Sequence, residues 1–275
     1  MGNKVTSPYA LLKFSEKNFT EELYHNGKMH FRTLSYFKNQ EMQNGRGDPD
    51  EGLTYRNKPD FLKGDIGGMA LNIGLTPKIE LRSHKNNFIW CSYGIFEKQY
   101  GLLKNKTDLD ISNLTALGEY CLIILDVNEF NSRLENNFHS QFMDLMYYWA
   151  GKDIITGSMV EYISEEYLGD IGPFKKEKSY ESQNEYRYVL DRVIGFQKGH
   201  DPSLYPKRVD KDEFQRILQK NNEIYLASTQ EFYNLCIGNI SDISVMVPAE
   251  EVNDALIMWF SEVKSISEIQ KKYPI

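Results

Sequence analysis

Strands and helices are segregated along this 275-residue chain rather than strictly alternating. That pattern favours an α+β fold with a mixed or antiparallel sheet over a doubly wound parallel one. Lys28–Thr33 alternates with a period of two, which puts Met29 and Phe31 on one face of a strand and His30 and Arg32 on the other. Ser15–His25 reads as a helix capped by Ser15 and ended by Gly27 in the left-handed conformation. Leu34–Lys38 reads as a helical turn, Lys78–Ser83 and Phe88–Gly94 as a hairpin, and Tyr120–Val127 as a central strand. Phe138–Ala150 reads as a helix and Glu185–Leu190 as a strand, with Val193–Gln197 as its partner. Helices over Asp210–Lys220 and Glu250–Trp259, with strands over Glu223–Ala227 and Ile243–Val247, complete the expected order.

The chain has no repeat, no low-complexity tract and no Pro/Ser-rich linker, so it reads as a single domain over 1–275 with an elaborated C-terminal third, about 201–275. Several function classes fall away. No G-x-G-x-x-G opens a helix and no P-loop pattern occurs, which removes the common dinucleotide and NTPase signatures. Cys91, Cys121 and Cys236 are odd in number and widely spaced, as reduced thiols of a cytoplasmic protein would be. The five histidines have no ligand spacing, so no metal site is expected. No apolar run reaches the ~20 residues of a membrane span, and the N-terminus lacks a signal-peptide core. Met1-Gly2-Asn3-Lys4-Val5-Thr6 does fit the short myristoylation pattern. A net charge of −7 argues against coating nucleic acid nonspecifically, although Lys207 and Arg208 lie in one candidate basic stretch, Lys198–Lys211.

Three stretches carry chemistry. In Tyr180-Glu181-Ser182-Gln183-Asn184-Glu185-Tyr186-Arg187-Tyr188, polar residues lead into a strand. If the extended backbone begins early enough, Gln183 and Glu185 share a face and flank one small volume. The other reading of that stretch is a charged edge strand followed by core. Arg32 sits at a strand end with Tyr36 four residues on, a planar fork suited to phosphate beside a stacking face. Asn87–Gly94 brings Ser92 close to a strand end.

The order of these stretches resembles the ADP-ribosyltransferase superfamily: a basic early strand, an aromatic-x-x-Ser strand, then Gln-x-Glu entering a strand. More closely, it resembles a group of bacterial ADP-ribosyltransferase-like proteins from prophage and phage-defence neighbourhoods. The matching marks are Gly27 to Arg32, then Tyr36, Phe37 and Glu41, then Arg-Gly-Asp-x-x-Glu-Gly from Arg46 to Gly52, and Gln-x-Glu-Tyr-Arg from Gln183 to Arg187. The resemblance covers most of Leu11–Arg192 and, more loosely, Ile237–Pro248. Cys91-Ser92-Tyr93 departs from the Ser-Thr-Ser of many members, and the Arg-Gly-Asp triplet at Arg46 reads as coincidence rather than integrin recognition.

The resemblance implies an ADP-ribosyltransferase-like fold with flanking helices, and NAD⁺ as substrate with no metal. It implies Glu185 as the catalytic carboxylate and Gln183 as the group that orients the acceptor. Arg32, Tyr36, Ser92 and Arg46 would hold the dinucleotide, with His30 and Arg46 competing with Arg32 for the early basic role. Gln rather than Glu at position 183 argues against an Arg acceptor and leaves a base of RNA or DNA, or an amide or hydroxyl side chain. The neighbourhood points to nucleic acid, mRNA among the candidates, and to a toxin restrained by an antitoxin. A hydrolase of NAD⁺ with no acceptor, and a non-catalytic binding protein of the same fold, stay open.

Overall fold

The structure, a computed structural model, describes residues 7–39, 55–56, 65–66, 69–70, 78–79, 87–146, 155–164, 166–167, 169–190, 232–263 and 265–274. An eight-stranded antiparallel sheet organises them, so the fold is α+β as the segregation of elements implies. Its strands are β1 (Ala10–Ser15), β2 (Lys28–Thr33), β3 (Phe88–Ile95), β4 (Tyr120–Ile124), β5 (Ile155–Met159), β6 (Glu185–Leu190), β7 (Phe232–Cys236) and β8 (Ser244–Pro248). The order along the main path is β7-β2-β3-β1-β4-β8, and β6 joins β3 to β5.

The sheet is forked. β6 runs along one edge of β3 from Leu190↔Phe88 to Glu185↔Tyr93. On the opposite edge β2 pairs only with Phe88 and Ile89, whereas β1 pairs only with Tyr93, Gly94 and Ile95. Trp90, Cys91 and Ser92 lie where these two arms part. A cleft of about 470 Å³ opens there, within the range that small-molecule sites occupy.

The two faces of the sheet are covered differently. On one face Met29, Phe31, Trp90, Leu122, Tyr186 and Tyr188 form a core with Leu23 and Tyr24 of α1 (Lys17–Asn26). Phe130 and Leu134 of a longer helix complete it. On the other face Ala10, Leu12, Tyr93, Ile95, Ile123 and Val245 are covered by four short helices. In chain order the described helices are α2 (Leu34–Asn39), α3 (Glu97–Lys104), α4 (Ser112–Thr115), α5 (Val127–Met146), α6 (Val252–Ile257) and α7 (Ile266–Lys272). The cover is built by α3, α4, α6 and α7, and it stops at the β1–β4–β8 half. The same face of β2, β6 and β7 carries mostly polar residues, with a small apolar cluster of Leu34, Ile89 and Val189 covering part of β6.

Gly27 ends α1 as expected, with φ +60° and its N–H bonded to the Leu23 carbonyl. A Cβ there would stand 2.1 Å from the Gly238 carbonyl oxygen. Gly27→Ala is therefore expected to cost at least about 2 kcal/mol, by adding a left-handed backbone penalty to that clash. The check is the urea midpoint, and an unchanged value would contradict the tight approach of β7's end to α1.

Other expectations need correction. Ser15 ends β1 instead of capping α1, and its hydroxyl pairs with Thr20 Oγ1 at 2.7 Å. The 78–94 hairpin does not form, because Lys78–Ile79 pairs with Tyr55–Arg56 while β3 takes β1, β2 and β6. The helix expected from Phe138 begins at Val127. After α6 the last turns widen into a π-helix over Met258–Glu262. Arg46, the basic stretch 198–211 and the elements expected over 193–197, 210–220 and 223–227 lie outside the described residues.

Candidate functional site

β6 is buried along all six residues, because β3 and β5 flank it and both of its faces are covered. Period two puts Glu185 and Arg187 on the cleft face and Tyr186 and Tyr188 in the core. A charge at such a position has to be compensated. Arg187 Nε donates to Glu185 Oε1 at 2.8 Å and its Nη2 to Oε2 at 3.2 Å, while Nη1 donates to the Pro173 carbonyl at 2.6 Å. Lys176, in a short strand over Lys175–Glu177, donates to Glu185 Oε2 at 3.3 Å and to Gln183 Oε1 at 2.9 Å. Burial on its own would raise the Glu185 pKa. The Arg187 and Lys176 charges outweigh it and, with hydrogen bonds from Arg187 and Cys91, hold the carboxyl well below the usual range. The carboxylate is thus ionised at any physiological pH.

Gln183 and Glu185 do come together, though not by the route expected. The backbone is a 3₁₀ turn over Lys178–Gln183, and Asn184 sits at φ +39°. Extension begins only at Glu185. The Lys176 ammonium joins the amide to the carboxylate across that turn.

Ser92 is among the residues that line the cleft, although its hydroxyl is bonded to the backbone of β6 rather than to Glu185. It pairs with Tyr186 in the β3–β6 register, and its hydroxyl donates to the Tyr186 carbonyl at 3.2 Å. The neighbour of Glu185 on β3 is Cys91, whose register partner is Arg187. Burial, followed by the Glu185 charge, pushes the Cys91 thiol well above its ordinary pKa. Its side chain is hydrogen-bonded to the Glu185 carboxylate.

The opposite wall of the cleft comes from β2. Thr33 Oγ1 accepts the Tyr36 N–H at 3.2 Å and so caps the turn into α2. Leu34 packs with Ile89 and Val189 beneath it. The turn brings the Tyr36 ring back over Arg32, with the guanidinium carbon 4.5 Å from the ring centroid. Arg32 and Tyr36 are therefore adjacent, as the sequence spacing suggested, and both line the cleft. His30 lines it too. Burial, opposed by an Asn234 hydrogen bond and reinforced by the Arg32, Lys13 and Lys28 charges, lowers the His30 pKa and keeps its ring neutral at pH 7. At the fork, Lys13 Nζ donates to the Cys91 carbonyl at 2.6 Å and lies 4.9 Å from the Trp90 ring centroid.

Sequence reasoning gave no role to Lys176, Arg187, Lys13 or Cys91. Only Arg187 carried a legible signal, being two residues beyond Glu185 on one strand. Among the described residues the cleft carries five cations (Lys13, Lys28, Arg32, Lys176, Arg187) against three carboxylates (Glu16, Glu22, Glu185), in a chain of net charge −7. It is a local positive field with one buried anion at its base, suited to a ligand with anionic and cation-developing parts.

Comparisons with protein-family models, with curated proteins and with solved structures find no match. Among the described residues no group of His, Cys, Asp or Glu side chains is placed to hold a metal, and no helix is long and apolar enough to cross a membrane.

Proposed function

We propose that the protein is an NAD⁺-dependent mono-ADP-ribosyltransferase with a nucleic-acid acceptor, RNA first among the candidates, acting as a toxin or phage-defence effector. The observation that carries the reading is the ionised Glu185 carboxylate at the base of a cleft in which cations outnumber carboxylates and which is walled by Arg32 and Tyr36. Breaking the nicotinamide–ribose bond leaves its electron pair on a neutral nicotinamide and positive charge on the ribose, as in glycoside hydrolysis. A carboxylate fixed in a buried site favours that charge. Arg32 suits the pyrophosphate by charge and Tyr36 suits a planar ring. The acceptor then bonds to the ribose carbon and gives up its proton.

The test is incubation of pure protein with NAD⁺, with and without RNA, following nicotinamide release and label on the RNA. Release with transfer is the expected result. Release without transfer would make the protein an NAD⁺ hydrolase. Binding with neither would favour a non-catalytic binding protein, and one feature speaks for it: Arg187 and Lys176 engage both oxygens of Glu185.

Gln183→Ala separates bond breaking from transfer. It is expected to lose most ADP-ribose transfer, by about 10²-fold, while keeping much of the slow NAD⁺ hydrolysis, because orienting a nucleophile is separable from stabilising the cation. Paired assays of labelled RNA and of free ADP-ribose on the one variant measure this. Equal losses in both would mean that Gln183 acts only through Lys176 and Glu185.

A further inference from the structure

The cleft wall formed by β2 continues onto β7: Lys28, His30, Arg32 and Asn234 still line the cleft, and Phe232 stands outside it. Their register sets Phe232 opposite Arg32, Asn234 opposite His30 and Cys236 opposite Lys28. On β2 the residues Lys28, His30 and Arg32 follow one another on one face at a spacing of about 6.8 Å. The His30 and Phe232 rings stack, with centroids 5.1 Å apart and planes 29° from parallel. The Arg32 guanidinium carbon lies 5.5 Å from the Phe232 ring as well as against Tyr36. Asn234 Oδ1 and His30 Nδ1 share a 2.6 Å hydrogen bond.

This face is not used to build the core. Phe232 is 38% exposed, one of few large apolar side chains so placed among the described residues, and it stands outside the lining of the cleft. Lys28 is held by Glu22 at 3.0 Å, whereas Arg32 makes no ion pair among the described residues. The ladder therefore offers an exposed aromatic ring, a neutral imidazole, a carboxamide and one available cation. Small-molecule sites enclose most of their ligand. An exposed ring beside a cation on an open sheet face instead suits a strand that passes across it, stacking a base and leaving its backbone in water.

We propose that Phe232 and His30, with Asn234 at their edge and Arg32 beside them, form a stacking site for an unpaired base of a single-stranded nucleic acid. The proposal draws its purpose from the acceptor reading above, since a strand held there would lead toward Glu185. Its test uses no NAD⁺, so it stands or falls separately from NAD⁺ cleavage.

The experiment is fluorescence anisotropy of a labelled single-stranded RNA of about 12 nucleotides, a length typical of such sites, titrated with the full chain. ADP-ribose is titrated in parallel by calorimetry. Phe232→Ala is expected to weaken RNA binding about tenfold, and Phe232→Trp to retain it. Affinity for ADP-ribose should be the same in all three proteins, and duplex RNA of the same sequence should bind more weakly than the single strand. Four results would overturn the proposal: no RNA binding by the unaltered protein, equal RNA affinity in Phe232→Ala, equal affinity for the duplex, or a parallel loss of ADP-ribose affinity. The last would assign the ring to the dinucleotide.

Discussion

Glu185→Gln is expected to slow nicotinamide release from NAD⁺ by about 10²–10³-fold, the usual loss when one fixed electrostatic partner of a transition state is removed. The substitution keeps the shape of the side chain and deletes its charge. It also leaves Arg187 and Lys176 facing an amide, and Arg187 is 1% exposed. Some loss of stability is therefore part of the expectation, and the folded fraction has to be followed by circular dichroism at the assay temperature. A folded variant with an unaltered rate would remove Glu185 from the chemistry. The carboxyl lies far below neutral pH, so its protonation adds no acid limb to the rate between about pH 5 and 8.

Arg187→Leu should produce the largest loss of stability. Breaking a buried ion pair from one side costs about 3–5 kcal/mol, and here it leaves Glu185 under-compensated, with Lys176 still beside it. In a chain of this size that lowers Tm by roughly 10 °C. The pH dependence gives the loss a signature. In the unaltered protein the Glu185 carboxyl is depressed below its ordinary 4.5, so its contribution is complete above that pH and fades as pH falls further. In Arg187→Leu much of that contribution is already gone. The gap in stability between the two proteins should be widest near neutrality and narrow below about pH 4.5. Adding Glu185→Gln to Arg187→Leu removes the under-compensated carboxylate but leaves Lys176 facing an amide, so the double variant should lose less than the two single losses summed, in a double-mutant cycle read by thermal melts. Equal melting of the single variant and the parent would show that the pair does not hold β6 in place.

Much of the local structure was legible. Lys28–Thr33 alternates in sequence, and in the fold its even and odd residues fall on the polar and apolar faces as the alternation requires. The Gly27 stop and the Arg32–Tyr36 neighbourhood follow from spacing alone. β1 was missed because Ala10-Leu11-Leu12-Lys13-Phe14 is a nearly continuous apolar run, covered on both faces in the centre of the sheet, with no period to reveal it. The hairpin failed for a related reason. A strand next to another in sequence was assumed to pair with it, whereas β3 draws its partners from residues 10–12, 32–33 and 185–190.

The site was half legible. Glu185 and Gln183 meet, but through Lys176, which sits in a separate strand and has no sequence signature. Ser92 lines the cleft but bonds the Tyr186 carbonyl, and Cys91 is the β3 side chain that meets Glu185, because the face of a β3 residue depends on the register with β6, and a shift of one residue reverses every face. That register is a long-range property, fixed by which apolar set enters the core, and no local pattern records it.

The most direct test of the central claim is nicotinamide release from NAD⁺ by the pure protein, measured together with transfer of labelled ADP-ribose to RNA. The account predicts release that depends on Glu185 and label that appears on single-stranded RNA. An absence of nicotinamide, from protein shown to be folded and supplied with both NAD⁺ and RNA, would contradict it.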